Sequence, residues 1–173
     1  MHITSRGANL LGATALSVSD LLLAAASIAA ATNPSCSAAL VVLAAAPGLS
    51  VTELGRRVGL GQSATTRLVD SMEATGLVQR TPSVGRSVAV ELTAAGRHSS
   101  ADLLEARGAA LTELMTVLDD DEQDLLATLL DKLLVRLYEH VGNAELICRL
   151  CDRDGCTSHA VCPVGQAERE HRR

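Results

Sequence analysis

Apolar positions along this chain recur mostly at a helical period, with one short stretch of alternation, and Gly and Pro punctuate the changes. Leu10 to Ala31 is rich in Ala and Leu, and Leu16, Asp20 and Leu23 read as an amphipathic helix with a polar edge. Asn33-Pro34-Ser35 starts a second helix, with Pro where a missing amide is harmless. Cys36, Leu40 and Leu43 mark one side of it, and Pro47-Gly48 ends it. Ser50-Val-Thr-Glu53 is a capping box in which the Ser hydroxyl accepts from the N3 amide and the Glu carboxylate reaches back to the cap amide. Leu54 and Val58 then give a short helix one apolar face, and Gly59 and Gly61 break it. The next helix runs from about Gln62 to Thr75, with Leu68, Val69 and Met72 inward and Gly76 at its C-terminal cap.

The alternating stretch follows. Val78 to Pro82 leads into a turn at Ser83 to Gly85, and Arg86-Ser-Val88-Ala-Val90-Glu-Leu92 reads as a half-buried strand. After Gly96 two long helices are predicted. Leu103, Leu104, Leu111, Leu114 and Leu118 mark the first, and Asp119 to Glu122 stabilise the N-terminus of the second. Leu125, Leu126, Leu129, Leu130, Leu133, Leu134 and Leu137 form an apolar stripe wider than one partner needs, the mark of a dimer core. The expected fold is mainly α with a small β wing: a winged helix-turn-helix plus a helical dimerisation domain. Its divisions are an N-terminal dimerisation helix (1–32), a DNA-binding domain (33–97), C-terminal dimerisation helices (98–142) and a Cys-rich tail (143–173).

The helix beginning at Gln62 carries Gln62, Ser63, Thr65, Thr66 and Arg67 in its first turns. Short donors and acceptors with one guanidinium suit base edges and phosphates in a major groove. Arg80 and Arg86 flank the hairpin tip, where a wing meets phosphate or minor groove. These seven residues are the candidate DNA contacts. The block resembles the winged-helix core of the MarR family of bacterial transcription regulators. The resemblance is carried by Leu54-Gly-Arg-Arg-Val58, Thr66-Arg67-Leu68-Val69, Gly76-Leu77-Val78, Arg80, Arg86 and Leu92-Thr93-x-x-Gly96, and extends over roughly residues 8 to 140. One departure is Val84, which stands where the family's wing carries an Asp. The resemblance implies a dimer built from the first and last two helices, with wings gripping operator DNA.

A net charge of −5 looks wrong for such a protein until it is divided. Ser50 to Arg97 holds six arginines against four acidic residues, whereas His98 to His140 holds ten acidic against three basic ones. The small positive excess lies in the DNA-binding block, so tight binding would depend on two copies and a fitting operator. The N-terminal segment is long enough to span a membrane at about 20 residues, but Asp20 in its middle costs roughly 2.5–3.5 kcal/mol there. Arg6 is the only basic side chain before Asp20, too little for a signal peptide. A soluble helix, no membrane partner and a cytoplasmic location are expected.

Four of the five cysteines cluster in the tail as Cys148-x2-Cys151-x4-Cys156-x5-Cys162, followed by Pro163. Such spacing in a cytosolic chain points to metal or redox chemistry before structural disulfides. Four thiolates close a tetrahedral or cluster site, Gly155 lets the backbone turn, and Arg149 and Arg153 favour thiolate over thiol. An iron–sulfur cluster is the first expectation, zinc the alternative, and a thiol–disulfide switch the third. His159 is a substitute ligand at most, and the terminal Ala167 to Arg173 reads as a frayed polar end.

Three function classes follow: a homodimeric repressor whose tail senses redox state or iron, the same DNA binder with a zinc tail and a small-molecule effector of unknown identity, and a redox enzyme using Cys148-x-x-Cys151. Tyr138 is the one aromatic residue, so no stacking pocket is legible for an effector. No βαβ pattern surrounds the dithiol and no catalytic Ser/His/Asp set or phosphate loop occurs, so an enzyme is not expected.

Overall fold

The computed structural model describes residues 6–30, 33–82, 88–158 and 160–172, with the side chains of 26–30 outside that description. The elements run α1 (Arg6–Ala30), α2 (Pro34–Ala45), β1 (Leu49–Ser50), α3 (Val51–Val58), α4 (Gln62–Ala74), β2 (Val78–Pro82) and β3 (Val88–Leu92). They continue α5 (Ala94–Met115), α6 (Asp120–Val141), α7 (Ala144–Ile147), α8 (Arg153–Thr157) and α9 (Pro163–His171). The sheet has the antiparallel order β1-β3-β2, in register at Leu49↔Val90 and Val78↔Leu92. The mainly α winged helix expected from the pattern is present. The two-residue β1, too short to alternate visibly, is an addition.

α2 is the centre of the molecule. The Asn33 carboxamide oxygen accepts from the Cys36 N–H at 2.9 Å, and Pro34 occupies the first turn. Every residue from Cys36 to Leu43 is buried, so this helix is enclosed on all sides and not on one face alone. Leu54, Val58, Leu68, Val69, Met72, Val78, Val90 and Leu92 complete the core around it. A second cluster joins Val41 to Leu103 of α5, and a third joins Tyr138 of α6 to Ala144 and Val164 of the tail.

Two capping expectations come out differently. The Ser50 hydroxyl accepts from the Glu53 N–H at 3.2 Å, but the Glu53 carboxylate turns to Arg56 (2.7 Å) and Arg57 (2.8 Å) and leaves the cap amide. A complete capping box occurs at α6 instead, where Asp119 accepts from the Glu122 N–H at 2.9 Å and Glu122 accepts from the Asp119 N–H at 3.1 Å. The boundary expected at residue 97 falls inside α5, because Thr93 caps that helix through the Gly96 N–H at 3.1 Å. The C-terminal end is not frayed. α9 lays Val164 and Ala167 on Tyr138, whose ring meets His171 edge-on at 6.3 Å.

α1 runs along α5 and its Arg6–Ala25 stretch is long and apolar enough to cross a membrane. Leu10, Leu11, Leu16 and Leu21 on α1, and Leu125, Leu129, Leu130, Leu133 and Leu137 on α6, are exposed within one chain. The stripe expected on α6 is therefore uncovered by the rest of its own chain.

At Gly96 a Cβ would lie 2.0 Å from the Leu77 carbonyl oxygen, so α5 crosses the wing root with no room for a methyl group. Gly96→Ala should cost about 1–3 kcal/mol of stability through this overpacking. A thermal melt should show a drop in Tm of several degrees, and an unchanged Tm would contradict the packing.

Candidate nucleic-acid interface and cysteine site

The helix-turn-helix is α3 and α4, joined through Gly59 (φ 76°). α4 is positioned on α3 by the Thr52 hydroxyl, which donates to the Gln62 side-chain oxygen at 3.0 Å. Gln62, Ser63 and Arg67 are exposed on its outer face, and Thr66 is half-buried with its hydroxyl donating to the Gln62 carbonyl at 3.0 Å. Arg67 makes no hydrogen bond or ion pair among the described residues, which leaves its guanidinium available for a phosphate or a base edge.

Two candidate contacts need correction. Thr65 is fully buried, its hydroxyl donating to the Gly61 carbonyl at 3.0 Å, so it holds the turn and cannot reach DNA. The helical period places residue 65 one step round from the outward face that carries 62, 63 and 67. Arg80 is not a free cation near the wing tip. Its guanidinium reaches Asp70 at 2.6 Å and also binds Glu73, and its backbone N–H donates to Glu73 at 3.2 Å. Arg80 therefore braces β2 against α4. Arg86, and the rest of 83–87, lies outside the described residues.

Ion pairing also revises the charge balance. Hydrogen bonds from Arg56 and then Arg57 hold the Glu53 carboxyl down to about 2, and Arg57 further approaches Glu145 at 3.7 Å. Arg97 donates to the Leu92 carbonyl at 2.8 Å. Most of the arginine excess in this block is thus spent on internal contacts, and among the described residues the outward cation is Arg67.

The tail half-buries Cys148, Cys151 and Cys162 and leaves Cys156 exposed. Cys148 ends α7, and the Cys151 N–H donates to its carbonyl at 3.0 Å. Cys156 lies in α8, and Cys162 caps α9, its sulfur accepting from the Gly165 N–H at 3.4 Å. Cys148 lies close enough to feel both Cys162 and Cys151, and Cys151 to feel Cys156 and Cys162. All four line one cavity of about 400 Å³ between α1, α5, α6 and the tail, and all are free thiols. Among the described residues, no three His, Cys, Asp or Glu side chains form a ready metal-binding group. His159 lies outside the described residues.

Burial decides the thiols' chemistry. Desolvation, then the neighbouring Cys162 and Cys151, push Cys148 up to about 12, and Arg153 opposes this without reversing it. Desolvation and Cys156 push Cys151 up to about 11. The expected thiolate bias from the nearby arginines is overturned: Arg149 is turned away to the Leu146 carbonyl (2.7 Å) and Arg153 to Glu145. Cys36 is pushed up by burial as well, as a core residue should be. Missing from the sequence reading is Arg107, on the apolar face of α5 between Leu104 and Leu111. It lines the cysteine cavity, and its buried Nε has no hydrogen-bond partner. A lone arginine among leucines was the only signal for it.

Because the thiolate is the nucleophile, alkylation of the metal-free protein at pH 8 should start at the exposed Cys156, with Cys148 and Cys151 resisting. Peptide mass spectrometry over a pH series should show Cys148 and Cys151 reacting faster as pH rises towards about 12 and about 11. Rapid labelling of Cys148 at neutral pH would contradict this picture.

The comparisons with known proteins agree with the fold. A model of the MarR family matches residues 32–87, from the start of α2 into the wing. A MarR family protein from Bacillus stearothermophilus superposes with a TM-score of 0.65 at 26% identity, covering 76% of this chain and 95% of that one. Wild-type MarR from E. coli, in its apo form, gives 0.62 at 25% identity, covering 76% and 98%. MepR, a transcription regulator of the Staphylococcus aureus multidrug efflux pump MepA, gives 0.67 at 16% identity, covering 75% and 97%. No curated protein matches the chain. The cysteine tail lies beyond the family match, which ends at residue 87. Residues 32–87 match the MarR family model, and the chain carries the winged-helix fold of the MarR family structures it is similar to.

Proposed function

We propose that this chain is a homodimeric transcriptional regulator, acting as a repressor on a pseudo-palindromic operator, whose four-cysteine tail holds a metal centre that senses redox state or iron. The observation that carries the DNA-binding part is the outer face of α4, where Gln62, Ser63 and Arg67 stand exposed on a helix locked to α3. Support for the dimer comes from the exposed leucines of α1 and α6. A second copy covers them best, since a stripe of this width exceeds what one chain can bury. The same burial accounts for α1 as a soluble helix in a cytoplasmic protein.

The chemistry of the donor set supports the metal centre. Four sulfurs face one cavity, and the Arg107 cation beside them offers an unpaired N–H. Four thiolates around a metal or cluster carry net negative charge, which a buried guanidinium offsets. Cys148, Cys151, Cys156 and Cys162 would be the ligands of an iron–sulfur cluster, with zinc as the alternative on the same four sulfurs. Bound metal replaces the thiol protons, which removes the cost of crowding four sulfurs together. The third option on the same cysteines is a simple thiol–disulfide switch. No catalytic role is assigned.

Arg67→Ala should weaken binding to the selected operator by roughly tenfold or more, about 1–3 kcal/mol. If Arg67 meets phosphate, the salt dependence of binding should become shallower by about one unit of slope. Thr65→Val should leave the outer face of α4 intact and alter stability more than base preference. An Arg67→Ala protein with wild-type affinity would sink the assignment of α4 as the reading helix.

A further inference from the structure

The tail meets the DNA-reading helices at one short element, α7. Just before it, the Asn143 side-chain amide donates to the Arg56 carbonyl of α3 at 3.0 Å, across 87 positions of sequence. The same side chain's oxygen accepts from the Leu146 N–H at 3.1 Å, so it caps α7 while gripping α3. The Glu145 carboxylate, largely shielded, stands between two guanidiniums: Arg57 of α3 at 3.7 Å and Arg153 from the cysteine loop. Burial would raise this carboxyl, but the Arg153 hydrogen bond and the charges of Arg57 and Arg56 hold it below its ordinary value. Leu146 closes over the C-cap of α3, where a Cβ on Gly59 would lie 2.8 Å from its methyl group. Leu150, between Cys148 and Cys151, packs against both the core around α2 and the Val41–Leu103 cluster.

We infer that α7 couples the cysteine site to the reading helix, with Asn143 and Glu145 as the positioning residues that transmit its state to α3. This rests on the reading of the tail as a metal–thiolate site. Among the described residues no three His, Cys, Asp or Glu side chains form a ready metal-binding group, so gathering all four sulfurs round one centre must move the turns that carry them. Those turns carry Leu150 and Arg153. A shift of Arg153 changes the balance of Glu145 between the tail and Arg57, and a shift of Leu150 presses on the core of the DNA-binding lobe. α3 in turn holds Gln62 at the start of α4 through Thr52. The path runs through packed, hydrogen-bonded and ion-paired contacts, and removing the Glu145 charge or the Asn143 amide breaks its polar link between α7 and α3 without touching a sulfur or the outer face of α4.

The test uses the full-length dimer and an operator duplex selected in vitro with the wild-type protein. Operator Kd is measured for the metal-loaded and chelator-stripped forms of wild type, Glu145→Gln and Asn143→Ala, with metal content determined for every sample. The wild-type ratio of the two Kd values should depart from unity by roughly 5- to 150-fold, the usual range for coupled sites. In both variants the ratio should fall to within about twofold, at unchanged metal content. Asn143→Ala loses the hydrogen bond to Arg56 and the cap on Leu146 but no charge, so it carries the test if Glu145→Gln does not fold. Metal-loaded variants that keep the wild-type ratio, or a wild type whose two forms bind equally, would overturn the coupling while leaving the metal centre standing. A wild type that takes up no metal at all overturns both.

Discussion

The burial of α2 is the constraint on which the other elements depend. Eight consecutive enclosed residues, Cys36 to Leu43, give the helix no solvent face, so every side of it must be met by another element. α3 and α4 cover one side, β3 another, and α1 and α5 the rest, while Leu150 reaches it from the tail. With apolar burial giving about 25 cal/mol per Å², a helix enclosed in this way ties α3 and α4 to α1 and α5. It also means that a displacement on one side of α2 is felt on the others, because close-packed interiors transmit strain.

Electrostatics work on a finer scale. The DNA-binding block holds an excess of arginine, yet Arg56, Arg57 and Arg80 bind carboxylates within the protein. They fix α3 to α7 and the wing to α4. What faces outward on α4 is a small polar set with a single guanidinium; under the proposed function, affinity for DNA would come from doubling that surface in a dimer and from fit to a particular sequence. A weakly charged reader of this kind is sensitive to the placing of its helices, and α7 bears on the base of α3. The acidic α6, by contrast, leaves Leu125, Leu129, Leu130, Leu133 and Leu137 exposed within one chain.

The sequence made the reading unit legible because its signals are local. The Ser50 cap, the Gly59 turn and the inward Leu68, Val69 and Met72 are each settled within one or two helical turns. Contacts between distant segments were not legible. Nothing near Arg80 says that Asp70 and Glu73 will claim it, whereas Arg56 and Arg57, three and four residues after Glu53, stood at ordinary helical pairing distance and competed with the cap amide. Thr65 failed for a related reason: a polar residue at a helix start reads as outward until its neighbour across the crossing is known. At the tail the cysteine spacing gave the cluster, but α7, α8 and α9 were hidden by their brevity and by the polar ending of α9. The wide stripe on α6 was read from its period, and the structure leaves it open as a dimer face would be.

The central claim is that the four sulfurs form a metal centre on a MarR-type DNA binder. The most direct measurement is a visible absorption spectrum of the protein purified without oxygen, with its iron, sulfide and zinc content. Brown colour with iron and sulfide, lost in Cys148→Ala, is the outcome this account predicts; one zinc per chain would replace the cluster with its alternative. Protein free of iron, sulfide and zinc, with four thiols still titratable, would contradict it.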